Sequence, residues 1–179
     1  INLFSFIVLN VVAINTLCQT TPISGIINSY AAVNAIAING CQTTITVNTT
    51  AGFLTGDTVM IIQMKGASID STSATSTFGN VSSLNAAGKY ELFAIANITG
   101  LQISFNGTLN NSYDINGLVQ MVKIPVYNNA NVIAPLTCAP WNGQTGGILS
   151  FFVKDTLTLN ADIDVNGKGF RGGNISNNP

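Results

Sequence analysis

The chain has 179 residues and a net charge of −1, from 6 basic and 7 acidic side chains. Six scattered cations cannot build the basic face that phosphate backbones require, so nucleic-acid binding is excluded. The lack of histidine removes the commonest general base and metal ligand, and Asn, Thr, Ser and Gly supply the polar surface, as in many extracellular β-proteins.

Residues 1–18, INLFSFIVLNVVAINTLC, carry an apolar run over 3–13. It has the length of a signal-peptide core and is too short to span a bilayer comfortably. Cleavage after Cys18 is expected. Lipid attachment at Cys18 is disfavoured, because Leu17 is bulky where such a site takes a small residue. Residues 19–42 read as an extended N-terminal segment. A short helix over 30–37 is the alternative, favoured by its alanines.

Residues 43–47 alternate as a strand does, and 51–57 form a turn around a buried Phe53. Residues 58–64, TVMIIQM, are apolar on both faces and predict a central strand. The Ser/Thr/Asn/Ala stretch 67–88 predicts an exposed loop. Residues 89–99 and 101–105 form a hairpin about Gly100. A further strand, 118–124, stops at Pro125, and 126–140 reads as an irregular connection carrying Cys138. Residues 43–130 are therefore expected to form one small antiparallel β domain, a barrel or sandwich.

The pattern changes over 131–179. Leu157, Leu159, Ala161, Ile163 and Val165 are apolar, and Thr158, Asn160, Asp162 and Asp164 between them are polar. That period of two predicts one buried and one wet face. Gly146-Gly147 and Asn166-Gly167 punctuate the stretch. It reads as the first rungs of a parallel β-helix or similar solenoid, continuing beyond residue 179 because an open end needs more rungs or a cap. The predicted fold is all-β: a small antiparallel β-barrel or sandwich followed by the start of a parallel β-helix.

With the leader removed, Cys41 and Cys138 remain. A disulfide between them is one reading for an exported chain. Two unpaired, buried thiols are the other, since sequence does not fix their separation.

Asp162-x-Asp164-x-Asn166-Gly167 matches the first half of a calcium loop, but Gly173 stands where the closing glutamate belongs. Asp162, Asp164 and Asn166 are thus weak calcium candidates, and a polar row on a β-rung is the simpler reading. The other carboxylates, Asp57, Asp70, Glu91, Asp114 and Asp155, are too scattered to predict the pair that glycoside hydrolysis needs. The GxGxxG over 167–172 has no helix pattern after it to hold a pyrophosphate. No catalytic or cofactor-binding residue is expected. Trp141, Tyr90, Tyr113 and Tyr127 are rings that stack on sugars, and Trp141, Tyr113 and Tyr127 are taken as candidate ligand contacts. For Trp141 a simpler role is to cover the joint between the two β regions.

Four strings, GFLTGDTVMIIQMKGA (52–67), KYELFAIANIT (89–99), NSYDINGLVQMVKIPVYNN (111–129) and LTCAPWNGQTGGILSFFVKDTLTLNADIDVNGKGFRGG (136–173), occur in this order. The series resembles the N-terminal region of very large exported surface proteins of Bacteroidetes. Some of these are gliding-motility adhesins, and many leave by the type IX secretion system. The resemblance implies a secreted chain at the bacterial outer surface, with an adhesive or motility role and no catalytic residue. The partners it implies are an extracellular surface or glycan, and secretion, motility or envelope proteins; the mature chain would not span the membrane. The alternative is a carbohydrate-binding or polysaccharide-degrading β-helix module.

Overall fold

The structure, a computed structural model, describes residues 19–73 and 75–170. The predicted leader over 1–18 lies outside the described residues, as do Gly172 and Gly173. Among the described residues, no helix is long and apolar enough to cross a membrane.

The chain is all-β, and its larger part is a closed six-stranded antiparallel barrel. The barrel strands are β2 (Tyr30–Asn39), β3 (Gln42–Val47), β4 (Thr58–Gln63), β7 (Tyr90–Thr99), β8 (Gln102–Asn106) and β9 (Val119–Lys123). Their order is β2-β3-β8-β7-β4-β9, and β9 closes on β2. β5 (Ser68–Ile69) and β6 (Val81–Ser83) form a small antiparallel pair within the exposed 67–88 stretch. Closure leaves the barrel without a free edge, which a sandwich would have kept.

Two long strands make the corners. β2 pairs with β9 through Tyr30–Ala32 and with β3 from Val33 onward, with a register shift between Val33 and Ala35. β7 pairs with β4 through Tyr90–Ala94 and with β8 from Ile95 onward, with a register shift between Ile95 and Asn97. A bulge bends and twists a strand, which lets one strand serve both sides of a small barrel.

Period-two patterning fills the interior. Val33, Ile45, Val47, Phe53, Val59, Ile61, Ile95, Ile103, Phe105, Val119 and Met121 form one buried cluster. β4 and β9 are buried on both faces. Val59, Ile61 and Met121 face the barrel interior, while Met60, Val122 and Ile124 pack outside it with Tyr30 and Ile148. The central-strand reading of 58–64 rests on this double burial.

The expected boundaries shift. The barrel begins at Tyr30 rather than residue 43, and residues 30–37 are strand rather than helix. Ala31 and Val33 are buried against the barrel core, and that packing overrides the weak helix propensity of alanine. The expected irregular connection 126–140 holds β10 (Val126–Tyr127) and a nine-residue strand, β11 (Asn129–Thr137).

β11 belongs to a second, parallel sheet. β1 (Thr20–Ile26) lies on one side of it and β13 (Leu157–Leu159) on the other, while β10 pairs in parallel with β12 (Phe152–Val153). Val126 stands opposite Phe152, and Ala130 opposite Leu157. An isolated bridge sets Leu136 opposite Ile163, and the Trp141 N–H donates to the Lys168 carbonyl. The offset along the chain is nearly constant through all four pairs. Each of these residues thus faces one that lies 26 or 27 positions further along the chain. The alternating run 157–165 is regular strand only over Leu157–Leu159, and its apolar side is not buried. Leu157, Leu159, Ile163 and Val165 are exposed because, among the described residues, no further layer covers them.

A strap ties the two parts together. The Gln120 side chain, fully buried on β9, accepts from the Gly146 N–H at 2.9 Å and donates to its carbonyl at 3.1 Å. The Tyr30 hydroxyl donates to the Ile148 carbonyl at 2.6 Å. Asn28 donates to the Ser150 carbonyl at 2.6 Å and accepts from its N–H at 3.3 Å. Residues 146, 148 and 150 alternate toward the barrel as in a strand, but side chains stand in for the neighbouring backbone.

Candidate functional site

The sequence-predicted contact residues do not converge. Trp141 is 7% exposed and lies against Phe170, with ring centroids 5.3 Å apart. Its face is taken by that contact, so it offers no stacking platform. Tyr127 is partly buried edge-on to Phe151 in the parallel-sheet core, and burial raises its phenol pKa. Tyr113 packs at one end of the barrel core. Of the four rings, Tyr90 is the one that is openly exposed.

The expected disulfide is not formed. Cys41 and Cys138 are free thiols, the first exposed and the second buried. Cys41 sits at the β2–β3 turn, where its carbonyl accepts from the Gly107 N–H at 3.0 Å. Cys138 follows β11, where burial pushes its thiol up and the Lys168 ammonium partly offsets this. The two thiols belong to different structural parts, a barrel hairpin and the parallel stack.

Asp162, Asp164 and Asn166 are exposed, and Asp164 Oδ1 accepts the Asn166 N–H at 2.8 Å, which shapes the turn into Gly167. Among the described residues, no three His, Cys, Asp or Glu side chains gather closely enough to hold a metal.

The carboxylates share one habit. Asp57 accepts from the Leu54 N–H at 2.7 Å, Asp70 from Thr72 at 2.9 Å, and Asp114 from Asn116 at 2.9 Å. Glu91 accepts from both Asn110 and Asn111 N–H at 2.8 Å. With Asp164, five of the seven carboxylates in the sequence hold backbone N–H groups of turns. Asp57 also pairs with Lys123 at 2.8 Å.

Glu91 is the most elaborate case. Asn110 and Asn111 side-chain amides donate at 3.0 and 2.9 Å, and the Tyr113 hydroxyl adds a fifth bond at 3.2 Å. Partial burial alone pushes the Glu91 carboxyl up, but the Asn110 and Asn111 hydrogen bonds outweigh it and hold the group below its ordinary range. Burial, then the Glu91 charge, raises the Tyr113 phenol. A depressed carboxylate stabilises the fold above its unfolded-state pKa, and that contribution disappears as pH falls through the folded-state value. Glu91→Gln is expected to cost about 2 kcal/mol near neutral pH. It should also flatten the acid limb of stability, read as urea midpoints from pH 7 down to 3.

Beside this network lies a shallow pocket of ≈470 Å³, lined in part by Gln63, Asn85, Lys89, Tyr113 and Asp114. Gln63 is nearly fully buried; it donates to the Lys65 carbonyl at 2.7 Å and accepts from the Asp114 N–H at 2.8 Å. Gly117 is required here, since a Cβ would collide with the Gln63 amide and the Lys65 carbonyl.

The most distinctive surface is a different one. On the outer face of β3, β8 and β7, Gln42, Thr44, Asn97, Thr99, Gln102 and Ser104 line a depression of ≈280 Å³. Thr44 stands opposite Ser104, which stands opposite Asn97. The Asn97 amide donates to Thr99 Oγ1 at 3.0 Å. None of the six is charged, so the face offers amides and hydroxyls on a rigid sheet. Sequence reading missed it because the three strands come together only in the barrel. The even-numbered polar residues of 42–46 were the available signal.

No family model matches the chain, and no curated protein does. Two solved structures are distantly similar. The tailspike protein gp49 from Pseudomonas phage LKA1 is 15% identical with a TM-score of 0.35, over 79% of this chain and 23% of that one. The siderophore-interacting protein SipS from Aeromonas hydrophila is 9% identical with a TM-score of 0.28, over 78% and 73%. The chain therefore spans under a quarter of the tailspike, and both likenesses are too distant to assign a family.

Proposed function

We propose that this chain is a non-catalytic, N-terminal part of a large secreted cell-surface adhesin of the Bacteroidetes kind, serving surface attachment or gliding motility. In this reading the barrel is followed by the start of a parallel β-helix, and the near-constant offset between parallel partners supports that. The observation that carries the functional reading is the uncharged face of Gln42, Thr44, Asn97, Thr99, Gln102 and Ser104. Amides and hydroxyls on a flat sheet suit the hydroxyls of a neutral glycan. Each such contact is weak in water, and strength comes from many copies acting together. The exposed apolar side chains of the 67–88 stretch, Ile69, Phe78, Val81 and Leu84, are a second contact element. The engagement of most carboxylates in turns also supports a non-catalytic role, since a general acid or base must be free to meet a substrate.

The test is retention of chain-coated beads on a panel of immobilised neutral polysaccharides. The double variant Thr44→Glu, Ser104→Glu is expected to lose at least tenfold in retention with an unchanged melt, because it places carboxylates where a sugar would lie. Unchanged retention would remove the role of this face. Release of shortened glycan would establish the alternative, a polysaccharide-degrading module. The pocket beside Tyr113 favours a second, milder reading, a carbohydrate-binding module with one small polar site.

A further inference from the structure

One end of the barrel carries two opposite charges that do not meet. Gln63 ends β4, Lys89 comes just before β7, and Asp114 lies ahead of β9. β4 is antiparallel to both β7 and β9, so the three residues arrive at the same end. There they line the ≈470 Å³ hollow with Asn85, Ser112 and Tyr113. Lys89 is exposed and, among the described residues, makes no ion pair; the pair that does form is Lys123 with Asp57. Asp114 is held in place from two sides. Its Oδ1 accepts from the Asn116 N–H at 2.9 Å and the Asn116 amide at 3.1 Å. Its own N–H donates to Gln63, which is 1% exposed and anchored on the Lys65 carbonyl. Among the described residues, Asp114 Oδ2 accepts no hydrogen bond. Glu91, the neighbouring carboxylate, is occupied by its five hydrogen bonds and does not compete for a cation.

We infer that this hollow binds a small zwitterion, with an ammonium and a carboxylate on a short aliphatic stem. The ligand carboxylate meets the Lys89 ammonium, and the ligand ammonium meets Asp114 Oδ2. The charges choose this class. A neutral sugar would take water from Lys89 and Asp114 and return no ionic partner to either, which costs free energy. A simple anion would meet the Asp114 carboxylate, and a simple cation the Lys89 ammonium, each with like-charge repulsion. A molecule with both signs gives each side chain a charge-assisted hydrogen bond. The stem has apolar surface to lie on, since Ala86, 7% exposed, and the partly buried Tyr113 also line the hollow. Its volume is in the range of small-molecule sites. The anchoring of Asp114 through Gln63 and Asn116 lowers the ordering cost of binding. This site is separate from the uncharged face of β3, β8 and β7, and it does not depend on the adhesive role, so a failure to retain glycan leaves it standing.

The experiment titrates the 179-residue chain with straight-chain amino acids from glycine to 6-aminohexanoate, followed by amide chemical shifts. Each is compared with the carboxylic acid and the amine of the same carbon count, and cellobiose is the neutral control. One length in the series is expected to bind about tenfold or more tightly than its two singly charged analogues. The shifts should centre on Gln63, Asn85, Ser112 and Asp114. Lys89→Gln and Asp114→Asn should each weaken that binding about tenfold or more while leaving the melt within about a degree. Asparagine keeps the acceptor that the Asn116 N–H uses, so the turn is preserved. Equal affinity for the amino acids and their singly charged analogues would overturn the inference. Tighter binding of cellobiose, undiminished by either variant, would also overturn it and give the hollow to a neutral sugar. So would a lowered melt in both single variants with no further loss in the double, which would show that Lys89 and Asp114 serve each other as an ion pair.

Discussion

Replacing Phe105 with alanine is expected to lower stability by about 4 kcal/mol, the upper part of the range for deleting a buried aromatic ring. Phe105 is fully buried near the end of β8, between Thr43 of β3 and Ile95 of β7. Its ring meets Phe93 at a centroid distance of 5.3 Å and a tilt of 38°. A closed barrel collapses poorly around a void, because each wall strand is fixed on both sides by its ladder, so most of the cavity would remain. Domains of this size commonly have about 5–15 kcal/mol in hand, so the variant should fold but melt early. Urea unfolding followed by circular dichroism should show a lower midpoint with an unchanged slope. Phe105→Leu should cost about 1.5 kcal/mol or less, since it fills much of the same volume. Equal losses for both would mean that ring volume is not what matters there.

Gln120→Ala is expected to cost about 3 kcal/mol, and for a different reason. Gln120 satisfies both the N–H and the carbonyl of Gly146 in a fully buried setting. Alanine leaves both groups without a partner and removes volume between barrel and strap. The loss should be uneven. Amides over 146–150 and in β12 should exchange faster by more than tenfold, while the β3–β8 ladder stays protected. Asn28→Ala should reproduce the pattern more weakly. High pH reaches the same strap through Tyr30. Burial chiefly, then the charge of the nearby Cys138 thiolate, raises its phenol to about 12, partly offset by a hydrogen bond from the Ala139 backbone. The fold therefore prefers neutral Tyr30; its contribution is complete below pH 10 and is lost as pH climbs through 12. Tyr30→Phe should remove that part of the alkaline transition.

The barrel strands were largely legible in the order of residues alone. Thr43, Ile45 and Val47 alternate, and residues 90–99 and 102–106 flank Gly100, so local patterning and turn chemistry were enough. The double burial of 58–63 could also be read, because a strand that is apolar on both faces needs cover on both. Of the candidate contacts, the residue types were legible and their neighbours were not. Trp141 faces Phe170, well beyond it in the chain, and Glu91 draws together Asn110, Asn111 and Tyr113. β2 depended on distant partners as well. Its alanines suit a helix, and only the covering by β9 and β3 makes the extended form the better one. β11 was hidden for the same reason. Asn129, Asn131 and Pro135 blur its alternation, and its first partner, β1, precedes the whole barrel in the chain. Period two reports that a strand has an apolar side. Whether that side is buried depends on what the rest of the chain lays over it: Val132 is covered, and Leu159, paired with it and of the same pattern, is not.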